Sequence, residues 1–257
     1  MAKALRARNL LDNSDFTNPV NQRGKTSYDG NVEVHSIDRW DVYDGDTVTI
    51  KDGYISKTGN LIQYIEGLDG SKVYTAAICL NDGTIITETD QLSAGIGGWA
   101  GAIYCAINSN GITTFFITSN ATDVKWAALY EGEYTAETLP PYVPKGYGVE
   151  LLECQRYYLQ LKTEYIVNGY VASSGTQLWL QLPLAVPMRV FPTFKAVGGL
   201  AIRGVSGPTL TDTFTCQSVY QVGNSLVVVL NYTGNAYAAG TPVSVYFTGN
   251  PSLSADL

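Results

Sequence analysis

The stretch NLLDNSDFTNPVNQRG, residues 9–24, sets Leu10, Leu11 and Phe16 among Asn, Asp, Pro and Gly. Those polar and small residues favour turns over long regular elements. The reading is a first strand anchored by Leu10, Leu11 and Phe16. A turn then carries the chain round a sandwich towards Asp38-Arg39-Trp40. On this reading the stretch is scaffold, and binding belongs to loops elsewhere.

Downstream, turn signals are dense: Asp29-Gly30, Asp44-Gly45, Asp52-Gly53, Asp69-Gly70, Asp82-Gly83 and Asn110-Gly111. Such dipeptides tolerate positive φ and mark hairpins. Between them lie short β-branched and aromatic runs, TVTI (47–50), LIQYI (61–65), VYTAAICL (73–80), AIYCAI (102–107) and ITTFFIT (112–118). Short strands separated by turns predict an antiparallel sandwich or jelly roll over residues 9–137, behind a tip of residues 1–8. TLPPYVPKGYG (138–148) breaks the pattern, because three prolines prevent regular hydrogen bonding. Residues 138–162 are expected to form a Pro-rich linker and then either a short helix or a long strand. Leu151, Cys154, Tyr158 and Leu161 recur there at helical spacing. Residues 163–257 return to strand patterns: QLWLQLPL alternates Leu178, Leu180 and Leu182 with polar residues and Trp179, and LVVVLNY and VSVYFTG follow. A second, β-sandwich-like domain is expected, with YTGNAYAAGTP as a hairpin loop. The fold class is therefore all-β.

The 257 residues are enough for two domains. Only 15% are charged, well below the usual quarter or so. Eighteen Tyr and 26 Gly point to short strands and tight turns, and Tyr packs its ring while offering a hydroxyl to water. A net charge of −7 argues against a nucleic-acid partner. No apolar run of about 20 residues predicts a membrane helix, and the N-terminus lacks the apolar core of a secretion signal. Cys79, Cys105, Cys154 and Cys216 form no CxxC pair, so zinc is not indicated. A 79–105 disulfide is open if those strands are neighbours, but free thiols are the favoured reading.

Catalytic chemistry is thin. His35 is the sole histidine, no GxSxG elbow pairs with it, and RGVSGP (203–208) has the wrong spacing. Asp41, Asp44, Asp46 and Asp52 cluster in RWDVYDGDTVTIKDG. Solvated hairpin acids are the default, and Ca²⁺ is the weaker alternative, since the spacing is not that of an EF-hand. No other cofactor is indicated. SAGIGGWAGA (93–102) carries Trp99 on a glycine-rich segment. That ring either stacks on a sugar face or covers the edge of the core. Trp40 and Trp126 read as core residues, and Trp179 as half-exposed or a subunit contact.

NLLDNSDFTNPVNQRG followed by SIDRW resembles the opening of the carbohydrate-binding-module-like N-terminal jelly roll of bacteriophage and prophage tail-fibre or appendage proteins. LIQYIEGLDGSKVYTAAI resembles the central strand pair of that domain. DVKWAALYEGEYTAETLPPYVPKGYGVELLECQRYY resembles its exit, and QLPLAVPMRVFPTF (181–194) the strand-turn-strand that follows. Family members often carry a long virion-anchoring region before this motif, where only MAKALRAR stands here.

The resemblance implies a non-enzymatic virion structural protein, assembled in the host cytoplasm and acting outside the cell. It implies a homotrimer in a fibre or other projection, with other virion proteins and a host surface glycan or protein as partners. Trp99 and Tyr104 are the N-terminal glycan-binding candidates, and Arg189, Tyr220 and Tyr237 the C-terminal ones. The alternatives are a capsid head fibre, decoration or connector protein with a purely structural role and, last, a glycan-degrading enzyme.

Overall fold

The computed structural model describes residues 7–256 apart from 33, 44, 163–164, 173–174, 196–197, 205–209 and 234–236. Asp44, most of RGVSGP and part of YTGNAYAAGTP therefore lie outside the described residues. The chain divides into two compact units, residues 1–151 and 152–257.

The first unit is built from β1 (Ser27–Asp29), β2 (Asp41–Val42), β3 (Thr47–Lys51), β4 (Tyr54–Thr58), β5 (Leu61–Glu66), β6 (Val73–Leu80), β7 (Ile85–Gln91), β8 (Ile96–Gly97), β9 (Ile103–Ile107), β10 (Ile112–Ile117) and β11 (Asp123–Glu131). They form a six-stranded sheet in the order β1-β3-β4-β11-β6-β7 and a five-stranded sheet in the order β2-β5-β10-β9-β8, with all pairings antiparallel. Side chains alternate across each strand. Val48, Ile55, Ala76, Ile78 and Leu129 of one sheet meet Val42, Leu61, Ile103, Cys105 and Phe115 of the other in one core. Trp40 is fully buried between Phe16 and Phe115, edge-to-face with both. The all-β sandwich class read from the sequence is what this unit adopts.

The opening stretch differs from the expected first strand. Leu11 and Phe16 are fully buried and Leu10 packs beside them, but regular pairing is reduced to a single bridge, Asp15 to Trp126. The stretch is a clip along β11, tied by Leu10 N–H to the Leu129 carbonyl, Ala127 N–H to the Ser14 carbonyl and Phe16 N–H to the Lys125 carbonyl. Asn9 bonds both Ala127 and Leu129.

The centre of the clip is Asn13, buried and at φ 48°, a conformation Asn tolerates better than most residues. Its amide donates to the Val20 and Asp38 carbonyls at 2.8 and 2.7 Å, and its side-chain oxygen accepts from Val20 N–H at 2.7 Å. Its own carbonyl accepts the Trp40 indole N–H at 2.8 Å. Next to it, Asp12 exchanges two bonds with the Gln63 side chain and pairs with Arg39. Gln22 and Arg23 both bind the Asp38 carboxylate.

The Pro-rich segment is not a free spacer. Tyr142 stacks on Trp126 with centroids 4.6 Å apart and planes 3° from parallel, and Leu139 joins the same cluster over Ala77, Ala128 and Tyr130. The segment is thus a strap across the outer face of the six-stranded sheet. The division between units accordingly falls later than residue 138, inside helix α1 (Tyr147–Gln155). The helix is shorter than its apolar spacing suggested. Tyr158 already belongs to β12 (Tyr158–Gln160), drawn into pairing with the C-terminal strand β20 (Ser252–Ser254). Among the described residues no helix is long and apolar enough to cross a membrane.

The second unit adds β13 (Ile166–Val171), β14 (Gln177–Pro183), β15 (Thr193–Lys195), β16 (Leu200–Gly204), β17 (Leu210–Val222), β18 (Ser225–Thr233) and β19 (Pro242–Phe247). Six of them close into a barrel, β13-β14-β18-β17-β16-β19, beside the small sheet β12-β20-β15. Leu178, Leu180 and Leu182 point into the barrel core and Trp179 points out, against Tyr170. Gly169 is required there: a β-carbon on it would stand 2.3 Å from the Trp179 carbonyl oxygen. YTGNAYAAGTP is not a hairpin loop, since β18 pairs with β14 and β17 while β19 pairs with β13 and β16. It is a crossover connection of the closed barrel.

Removing the Asn13 side chain leaves three buried backbone groups without these bonds and puts Ala, which tolerates the left-handed region less well than Asn, at that positive φ. Asn13→Ala is expected to lower unfolding free energy by roughly 2–4 kcal/mol in a denaturant titration. Asn13→Gly, which accepts the backbone angle, recovers only the conformational part. A change in Asn13→Ala below about 0.5 kcal/mol contradicts this role.

Candidate functional site: an aromatic sheet face

The two outer faces of the first unit are unlike. The strap covers much of one, over Ala77, Ala128 and Tyr130. The outer face of the five-stranded sheet carries exposed aromatic rings. One ladder row crosses all five strands through Asp41, Ile62, Phe116, Tyr104 and Gly97. Core-facing neighbours such as Leu61, Phe115, Ile103 and Cys105 send these positions outwards.

Phe116 is the floor of this patch, almost wholly buried. Trp99 lies 4.8 Å from it, edge-on, and 4.8 Å from Tyr104. Tyr104 stacks on Phe116 at 5.7 Å, and Tyr43 approaches from the other side at 6.4 Å. Trp99 keeps 55% of its surface exposed and Tyr43 44%. The result is a ridge of rings with two open ends. Tyr64 lies beside it. Burial first, then the charges of Tyr43 and Asp41, raise its phenol pKa and hold it neutral. Asp41 Oδ1 is hydrogen-bonded to His35 Nδ1 at 2.7 Å, and the two residues also form a backbone bridge.

The Trp99 turn is built from its glycines. Gly97 sits at φ 67°, and a β-carbon there would meet the Ile103 carbonyl oxygen at 2.4 Å. Gly98 N–H donates to that carbonyl and Gly101 N–H to the Gly98 carbonyl. The turn is bolted to the next loop by Asn120, whose amide donates to the Trp99 and Gly101 carbonyls at 3.3 and 3.1 Å, and by the Thr118 hydroxyl, which donates to Gly101.

Beneath that loop lies Lys57, 3% exposed, donating to the Gly59 and Thr118 carbonyls at 2.6 Å each. Burial lowers its pKa from 10.5 to about 7, against the opposing pull of Asp46. A neutral amine has two N–H groups, which suffice for the two carbonyls.

Of the sequence-predicted residues, Trp99 and Tyr104 meet in one patch. Arg189, Tyr220 and Tyr237 occupy separate surroundings in the second unit. The Arg189 guanidinium donates to the Ala255 carbonyl and lies 5.8 Å over the Tyr157 ring. Tyr237 packs on Tyr232 at the barrel core. Tyr220 is half exposed on β17. The acids once grouped for Ca²⁺ are dispersed: Asp41 pairs with His35, and Asp46 accepts the Asn60 N–H. Among the described residues neither belongs to a group of three ligands close enough to share an ion.

Trp126 is in the strap cluster rather than the main core. None of the four cysteines is in a disulfide. Cys105 faces the sandwich core, where burial pushes its thiol up to about 12. Cys79 belongs to the other sheet, where its strand neighbours Ala76 and Ile78 take the core-facing role, so no 79–105 bridge forms.

Sequence reading missed Tyr43, Tyr64 and Phe116. The signal for Phe116 was present, because two successive aromatics in a strand, Phe115-Phe116, must face opposite sides. Comparisons with family models, curated proteins and solved structures returned no match.

Between about pH 7 and 10.5 the unfolded chain holds the Lys57 proton and the folded chain does not, so folding stability rises with pH across that window and is flat below it. Denaturation of wild type and Lys57→Met at intervals from pH 6 to about 10 isolates this slope, since other titrating groups are common to both. The wild type is expected to gain on the variant above pH 7. Parallel curves contradict the assignment.

Proposed function

We propose that the chain is a non-enzymatic structural subunit of a phage virion projection, and that its first unit binds a saccharide of the host surface through the Trp99 ridge. The observation that carries the binding reading is the pair of exposed rings, Trp99 and Tyr43, seated on a buried Phe116 on the outer face of the five-stranded sheet. Sugar rings present C–H faces to which aromatic π surfaces are complementary. The cost of ordering side chains on binding is low, because the rings already pack on one another. The virion reading rests on the ordered resemblance of four sequence segments to fibre and appendage proteins. In such a particle, a homotrimer with contacts to other virion proteins follows as part of the proposal.

A second reading, a structural docking protein such as a head fibre or connector, is favoured by exposed apolar side chains in the second unit. Phe191, Val222 and Ile166 are 70%, 69% and 63% exposed, and a partner seated on them would remove that apolar surface from water. The two readings are compatible if the units divide the work.

A glycan array probed with wild type and Trp99→Ala tests the binding reading. Binding is expected in the wild type, with a loss of tenfold or more in the variant and an unchanged thermal transition. Equal binding by both proteins removes the ridge from the function.

A further inference from the structure

We infer that the saccharide taken by this face is uncharged; the inference rests on the binding reading above and narrows its ligand class. The outward positions of β5, β9 and β10 hold apolar, hydroxyl and aromatic residues and one acid, Glu66. The row that runs under the ridge ends on a second acid, Asp41. A third, Glu88, reaches across from β7 to lie beside Gly97 and Gly101 at the base of the Trp99 turn. No Lys or Arg stands at any of the outward positions of these strands.

The basic groups near this face are already engaged, and His35 Nδ1 bonds the Asp41 carboxylate at 2.7 Å. Arg39, 9% exposed, gives an N–H to the Tyr64 carbonyl at 2.7 Å and pairs with Asp12. Lys57 gives its protons to Gly59 and Thr118.

A uronate, sialate or phosphate-bearing sugar needs a cationic or multidentate donor partner to offset the loss of its hydration. Here it would be desolvated on a face with an acid towards either end, Asp41 at β2 and Glu88 at β8, on a chain of net charge −7. Like-charge juxtaposition of that kind suppresses both encounter and binding. A neutral hexose meets none of this. Its C–H face lies on the rings, and its hydroxyls exchange bonds with the Tyr43 and Tyr64 hydroxyls. The acids thereby act as a filter against anions.

Ligand-observed saturation-transfer NMR on the full chain tests this. The probes are neutral gluco-, galacto- and manno-oligosaccharides and their matched 6-carboxylate forms, at low and physiological salt. At least one neutral family is expected to bind, with its uronate counterpart tenfold or more weaker at low salt and the gap narrowing as salt rises. Asp41→Asn is expected to lower the ratio of neutral to uronate affinity. Uronates that bind as tightly as their neutral partners overturn the charge inference and leave the saccharide reading standing. An absence of transfer from every probe overturns both.

Discussion

Asn13 holds the first unit together at a point where no strand runs. A sandwich can bury Leu11, Phe16 and Trp40 only if the irregular chain carrying them has its own polar groups satisfied, because unpaired buried amides cost about 1–3 kcal/mol each. Asn13 supplies that condition for three segments at once: its side chain closes on Val20 and Asp38, and its carbonyl takes the Trp40 indole. With those bonds made, Trp40 can stand edge-on between Phe16 and Phe115 in the centre of the core. The polar composition of residues 9–24, odd for the start of a core, is what burial of an irregular segment demands.

The clip and the strap together settle which faces are used up. Residues 9–16 cover the edge of β11, and Tyr142 stacks on Trp126 above the same sheet. The outer face of the other sheet carries Trp99, Tyr104 and Tyr43 on the buried Phe116. The ridge is held rigid from below. Lys57 fixes Thr118, and the Thr118 and Asn120 side chains fix the glycine-built turn that presents Trp99. A buried lysine is an expensive fastener, and its place under the Trp99 loop is where rigidity serves binding.

Strands whose apolar alternation is local were legible in the sequence: LIQYI, VYTAAICL and QLWLQLPL became β5, β6 and β14. What depended on partners far along the chain was not. The opening stretch has the apolar spacing of a strand anchor, yet side-chain bonds to residues 20, 38 and 63 decide its shape. Tyr158 fits a helical stripe, and pairing with Ser254 takes it into a strand. YTGNAYAAGTP carries hairpin chemistry, but closure of the barrel sends β19 to other neighbours. At the site, Trp99 and Tyr104 were visible as aromatics in and beside a strand. Asp41 was read as a hairpin acid and Tyr43 was missed, because their place on the outer face exists only once β2 pairs with β5.

The central claim is that the aromatic face of the five-stranded sheet is the binding surface. The chain has four tryptophans, each with one indole N–H, in distinct settings: Trp40 in the core, Trp126 under the strap, Trp179 on the barrel and Trp99 on the ridge. Indole N–H resonances of ¹⁵N-tryptophan-labelled protein, followed through a titration with a neutral oligosaccharide, report on all four at once. The account predicts that the Trp99 signal moves progressively and saturates while the Trp40, Trp126 and Trp179 signals stay in place. A titration that leaves Trp99 unmoved, or that moves Trp179 in its stead, contradicts it.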